Sequence, residues 1–335
     1  MMLSLISFDI LSRIPVKSLC RFRCVSKELY ALIADPWFLA AHKSRTEPLL
    51  IVGSRQDSSL RLIDMDGSVV KVIGDVGSVC ELICTSRDNL ACVMTHTGDV
   101  KVIDLANGEV LVTLQWKDGL WGFGHTIPSN VYKVVYINGD TYEILTVGDS
   151  AGWRKMQLPP TSNISYCTIP VVVNGVLHLM LTSQFDGNSV LSFNLANEEW
   201  NKGIKCPPSV DLQKCDPELR ELNNSLCMVQ PVFQGYDRWT DIWLLTNPDK
   251  STWVKIYAIP LDSSSFSRLI PLRLSCDDRK LLFCDTREST NISKAQIYDS
   301  SRWRCGDAPK ALDGAHDTNF SRCSLHLESF VLGKS

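Results

Sequence analysis

Two periodicities divide the chain. Over residues 8–45 the apolar positions recur at three and four. Ile10, Leu11 and Ile14 form one set, Leu19, Phe22 and Val25 the next, and Leu29, Leu32 and Ile33 a third. That spacing predicts short amphipathic helices. Pro15 ends the first and suits the opening turn of the second, where a missing N–H costs nothing. Arg21, Arg23 and Lys27 take the wet side of the second set. Ser26 is placed to cap the third helix, and Asp35-Pro36 ends it before a last short turn over Trp37–Ala41. From Pro48 onward the period falls to two, as in Leu60-Arg61-Leu62-Ile63 and Val100-Lys101-Val102-Ile103. These runs are short, β-branched or aromatic, and bounded by Gly, Asn, Asp and Ser. Some 18 to 20 strands are expected there and no helix, which suggests a sandwich, barrel or propeller.

One unit recurs within the β region: an apolar strand, a polar turn, then a strand often opened by Trp. Aligned on Asp64, Asp104, Thr146, Asn194, Thr246 and Asp299, the copies lie 40, 42, 48, 52 and 53 residues apart. Propeller blades of four strands take roughly 40–50 residues. Six copies predict a six-bladed β-propeller over residues 46–335, behind a small all-α unit at residues 1–45. Trp153, Trp200, Trp253 and Trp303 fall at equivalent places, where a large flat side chain fills the space between sheets.

Three short helices bury little by themselves. The helical unit therefore either docks on the rest of the chain or completes its core with a partner. Charge separates the two parts as well. Residues 1–45 hold seven Lys/Arg and three Asp/Glu, a net of +4; of the 34 basic and 37 acidic residues in all, the remainder keeps 27 and 34, a net of −7. No basic field that would gather nucleic acid is expected.

The 13 cysteines form no CxxC pair, and an odd count argues against a secreted disulfide framework. Reduced, mostly buried thiols are expected, in the cytoplasm or nucleus, with no metal and no cofactor. No apolar run approaches the roughly 20 residues a membrane span needs, and MMLSLISFD lacks the basic start of a signal peptide.

Gly148-Asp149-Ser150-Ala151-Gly152 fits G-x-S-x-G, but that elbow needs a helix after the serine, and a short strand halted by Pro159 and Pro160 follows. A hairpin turn explains the glycines as well. His178 alternates with Val176 and Met180 on a strand and reads as a satisfied, partly buried histidine. His316, Asp317 and His326 lie in a polar tail, and Asp277-Asp278 in a turn. No P-loop, dinucleotide fingerprint or HExxH is present.

The run Ile10-Leu11-Ser12-Arg13-Ile14-Pro15-Val16-Lys17-Ser18-Leu19, then Arg21-Phe22-Arg23-Cys24-Val25-Ser26-Lys27, Ala31-Leu32-Ile33 and Asp35-Pro36 resembles the F-box of plant F-box proteins. It departs from the usual pattern at Met2 and Leu3, where Leu-Pro is common, and at Leu29, where Trp is common. The β region resembles the kelch-like F-box-associated interaction domain. The pieces that match are Gly122-Phe123-Gly124, Tyr132-Lys133-Val134-Val135, Val173-Asn174-Gly175-Val176-Leu177-His178, Asp241-Ile242-Trp243-Leu244-Leu245 and Trp253-Val254-Lys255-Ile256. The resemblance implies a non-catalytic substrate receptor of an SCF-type ubiquitin ligase. Ile10, Leu11, Ile14, Pro15, Val16, Leu19 and Val25 would meet a Skp-type adaptor, and through it cullin and RING subunits. The target protein is not specified, and neither nucleic acid nor a membrane is implied as a partner. The alternatives are a propeller enzyme or carbohydrate-binding module, and an F-box-derived interaction protein that no longer binds the adaptor.

Overall fold

The computed structural model describes residues 8–12, 14, 16–35, 37–38, 41–42, 49–53, 58–64, 68–85, 90–159, 169–181, 189–207, 217–235, 237–261, 267–274, 280–287, 292–299, 304–307 and 323–326. Residues 8–11 are helical, followed by α1 (Val16–Phe22) and α2 (Lys27–Ala34). Ser26 caps α2 as expected: its Oγ accepts the Leu29 N–H at 3.2 Å. Asp35 ends α2, and its Oδ1 accepts from the N–H groups of Trp37 (2.8 Å) and Phe38 (3.3 Å). Both caps satisfy backbone donors that a helix leaves unpaired at its start.

Residues 37–38 and 41–42 are also helical, and every described element beyond them is a strand. The strands form six four-stranded antiparallel sheets, each meandering outward. The second runs Val79–Thr85, Leu90–Thr95, Asp99–Asp104, Val110–Gln115; the third, Leu120–His125, Tyr132–Asn138, Thr141–Thr146, Arg154–Gln157. The fourth runs Val171–Val173, Val176–Leu181, Ser189–Asn194, Glu199–Lys205. The fifth is Glu218–Leu222, Ser225–Gln234, Asp237–Asn247, Thr252–Pro260, and the sixth Ser267–Leu274, Lys280–Arg287, Ile292–Asp299, Arg304–Asp307. In the first sheet, Leu49–Gly53, Leu60–Ile63 and Val69–Ile73 take their innermost strand from the far end of the chain, Cys323–His326, with Leu50 opposite Leu325. The innermost strands touch in cyclic order, and Cys323–His326 meets both Ser267–Leu274 and Val79–Thr85, so the circuit closes. The molecule is a β-propeller, and closing the ring covers the sheet faces that an open stack would expose at its two ends, leaving only short outer edges.

The repeat read from the sequence has a direct structural meaning. Each alignment residue sits at the end of a sheet's third strand or, for Asp64, just after it. There Asp104 and Asn194 accept the N–H two residues on, from Ala106 (2.7 Å) and Ala196 (2.8 Å), and so start the turn into the fourth strand. Packing between sheets supplies the core. Leu60, Leu62, Val93 and Ile103 join the first and second sheets; Trp121, Phe123, Val102 and Val134 the second and third. Ile144, Leu177 and Phe193 join the third and fourth, Met180, Ile204 and Met228 the fourth and fifth, and Ile242, Leu281 and Phe283 the fifth and sixth.

Strand direction assigns every turn to one of two rims. Inter-sheet connections and the turns between second and third strands share one, here the connector rim. Turns between first and second, and between third and fourth, strands share the other. Leu49 begins the second strand of its sheet, so the chain enters the propeller from the helices at this second rim, the helix rim.

Candidate functional site

The helical unit has its own small core. Leu11, Leu19, Ile33 and Phe38 are buried together, with Phe8, Ile14, Leu29 and Leu32 packed against them. Phe8 meets Phe38 edge to face at 5.3 Å, and the buried His42 Nε2 reaches the Ile14 carbonyl at 2.8 Å. No propeller residue among those described belongs to that cluster.

This core splits the expected adaptor-binding set. Ile10 is 56% exposed and Val25 68% exposed. Leu11 and Leu19 are interior, and Ile14 is half-buried, so a change at Leu11 or Leu19 perturbs the fold before it perturbs a surface. The backbone of Val16 opens α1, while its side chain and Pro15 lie outside the described residues. Val25 corrects the sequence reading in one respect. The helix stops at Phe22, and Val25 stands in the turn after it, where the Arg23, Cys24 and Val25 N–H groups still bond back to Leu19, Arg21 and Phe22. Side chains outside the expected set share this exposed apolar character: Phe22, Tyr30 and Trp37, the last 82% exposed. Trp37 directly follows the Asp35-Pro36 stop, and a tryptophan in a helical fragment too small to bury it was the available signal.

The chemistry-bearing residues of the propeller resolve into structure. Gly148 and Gly152 both have positive φ, in an exposed turn where Asp149 Oδ1 accepts the Ala151 N–H at 3.0 Å. The strand Arg154–Gln157 follows, so no helix N-terminus activates Ser150. His178 is buried with its Nδ1 2.9 Å from Ser192 Oγ, and burial pushes its pKa down to about 4. His326 pairs through its backbone with Leu49; His316, Asp317, Asp277, Asp278 and Trp303 lie outside the described residues. Among described residues no group of three His, Cys, Asp or Glu side chains gathers as a metal site.

Two of the recurring tryptophans tie sheets together: Trp200 meets Tyr142 of the third sheet at 5.4 Å, and Trp253 Nε1 donates to the Lys205 carbonyl of the fourth at 2.9 Å, while Trp153 meets Trp121 of its own sheet at 6.0 Å. Glu198 does the same with charge. Arg154 grips it bidentately (2.7 and 2.5 Å) and Lys133 reaches it at 2.7 Å, joining the third sheet to the fourth. The Arg154 bonds, with Lys133 behind them, hold its carboxyl below the usual range. Cys92 and Cys227 are buried, Cys206 is half-buried and Cys24 exposed, each a thiol rather than half of a disulfide; burial raises the Cys206 and Cys227 thiols.

Comparison with known proteins agrees with this division. Residues 4–40 match the F-box domain, and residues 38–277 match the F-box associated beta propeller domain. A putative F-box protein of Arabidopsis thaliana is 24% identical, covering 88% of this chain and 83% of the relative. The Arabidopsis thaliana F-box protein CPR1 is also 24% identical, over 82% of this chain and 77% of its own. Among solved structures, a Bacteroides caccae protein of unknown function covers 84% of this chain and 100% of its own at 13% identity and a TM-score of 0.48. With an N-terminal F-box followed by a propeller that the family description matches over most of its length, the chain belongs to the F-box-associated β-propeller family.

Proposed function

We propose that this protein is the substrate-recognition subunit of an SCF-type ubiquitin ligase, with its six sheets serving as six blades that carry the target. The F-box binds a Skp-type adaptor and, through it, cullin and RING subunits. The receptor performs no bond chemistry; it raises the effective concentration of target lysines near a loaded ubiquitin-conjugating enzyme.

One observation carries this reading. The helical unit closes a core of its own yet leaves Ile10, Phe22, Val25, Tyr30 and Trp37 in water. That much exposed apolar side-chain surface on so small a unit fits a partner better than solvent. Co-expression with a Skp-type adaptor tests it. The wild type is expected to co-purify stoichiometrically. The double variant Ile10→Asp, Val25→Asp is expected to lose the adaptor, because a charge buried in an apolar contact costs several kcal/mol, while its melting temperature stays put. A wild type that brings down no adaptor overturns the ligase assignment and leaves an F-box-derived interaction protein.

A further inference from the structure

We infer that the connector rim is the target-docking face, and that the projecting hairpin of the fifth sheet seats a basic, aromatic-containing unstructured segment of the target protein. This rests on the receptor reading above and goes beyond it by naming the surface and the chemistry of its partner.

The hairpin is set apart by length. Its strands, Ser225–Gln234 and Asp237–Asn247, have ten and eleven residues, against four to eight for the corresponding strands elsewhere. Measured from the helix-rim turn, Ser225–Gln234 runs four residues further than Val176–Leu181 in the neighbouring sheet, about 13 Å at ~3.3 Å per residue. The first strand of the sheet pairs only as far as Val229, so the ladder beyond it is formed with the outer strands alone, through Val232–Trp239–Pro260 to Gln234–Asp237. The hairpin's end holds Phe233 53% exposed, with the Arg238 guanidinium 5.6 Å from its ring centroid, and half-buried Val232 and Trp239 on its other face.

Charge decides the partner. Exposed Asp75, Asp118, Asp140 and Asp237 line this rim; the Arg238 guanidinium lies over the Phe233 ring and Lys117 is paired with Glu143 at 3.2 Å. At the hairpin's base the buried Asp241 receives Lys255 Nζ on Oδ2 at 2.5 Å, and its Oδ1 has no hydrogen-bond partner among the described residues. Residues 46–335 as a whole carry −7. Such a field attracts a cationic segment and repels an acidic one or a nucleic acid. The rim also lies opposite the one where the chain enters from the F-box, so adaptor and target can be held at the same time.

The test uses the full chain purified with the adaptor and three fluorescent twelve-residue peptides of shared aromatic content: one rich in Lys and Arg, one with Asp and Glu in their place, one uncharged. Fluorescence polarisation is expected to show the basic peptide binding at least tenfold more tightly than the acidic one, with binding weakened by added salt. Phe233→Ser and Asp237→Lys should each cost tenfold or more while adaptor co-purification is unchanged. Equal binding of the three peptides, no binding, or hairpin variants that bind like wild type would each overturn the inference. So would concentration-dependent dimerisation abolished by Phe233→Ser, which would assign the hairpin to a second copy. Adaptor retention reports separately on the receptor reading, so the two can fail independently.

Discussion

His178 makes the propeller acid-sensitive in a calculable way. Its neighbours on that face, Met180 and Val190, are buried and apolar, and Ser192 Oγ supplies its one neutral hydrogen bond. Desolvation holds its pKa at about 4, against 6.5 in an exposed state. The folded-state value is the depressed one, so the unfolded chain takes up the proton first. Stability from the neutral ring is therefore complete above about pH 6.5 and is lost as pH falls towards 4. Linkage over that gap gives about 2 kcal/mol lost between pH 7 and pH 5, and about 3 kcal/mol by pH 4. That is a large share of the 5–15 kcal/mol typical of a folded domain. Carboxylates elsewhere also titrate there, so the measurement is a difference. Urea unfolding followed by tryptophan fluorescence at pH 7, 6 and 5 should show the wild type losing about 2 kcal/mol more than His178→Gln, whose amide does not titrate. The variant can be less stable at pH 7 without affecting this, since the slope carries the information. Parallel pH profiles would mean that His178 is protonated or solvated in the fold, and the desolvation account would fail.

Two further substitutions probe the packing. An alanine Cβ at Gly124 would stand 2.5 Å from Val172 Cγ1, where the innermost strands of the third and fourth sheets meet, whereas at Gly203 it would find only ordinary contacts near 3.9 Å. Gly124→Ala should cost about 1–3 kcal/mol and lower Tm in a thermal melt by several degrees, with Gly203→Ala close to wild type; equal melts would show that the sheets separate freely. Leu19→Ala removes a fully buried side chain from the helical core and should cost about 2–5 kcal/mol, enough to unfold that small unit. Hydrogen exchange should then show residues 8–42 unprotected and the sheets unchanged, while Val25→Ala protects both.

Much of this architecture was legible because its signals are local. Asp104 and Asn194 mark the turn into a fourth strand by bonding to backbone two residues away, and Trp200 and Trp253 follow at once, so the repeat survives in sequence. Ser26 and Asp35 fix α2 by equally short-range contacts. What escaped depends on distant partners. Fewer strands were expected than the 24 described. Glu218–Leu222 has charges at three of five positions, and its alternation breaks at Glu221, while Arg220 pairs with Glu218 on one face. The ring-closing strand Cys323–His326 is defined by Leu49–Val52 at the other end of the propeller. In the F-box, spacing marks which residues are apolar but not which turn inward. Leu11 and Leu19 look equivalent to Ile10 and Val25 until Phe38 folds back and covers them. The glycines of Gly122-Phe123-Gly124 read as a family signature; their physical cause is the approach of Leu177 and Val172 from the next sheet.

The proposed receptor role, tethering rather than reacting, needs stiffness between its two contacts, because effective concentration falls once the link can wander. Here stiffness comes from the interleaved side chains between consecutive sheets, the Lys133–Glu198–Arg154 clasp and the pairing of chain ends in the first sheet. The first two are contacts between sheets, and the third joins strands from opposite ends of the propeller within one sheet. A lesion at any of them would leave hairpins intact locally yet loosen the distance between helix rim and connector rim. Ubiquitin transfer should therefore be more sensitive than target binding to damage in the propeller's interior, and this separates a spacer from a mere adhesive surface.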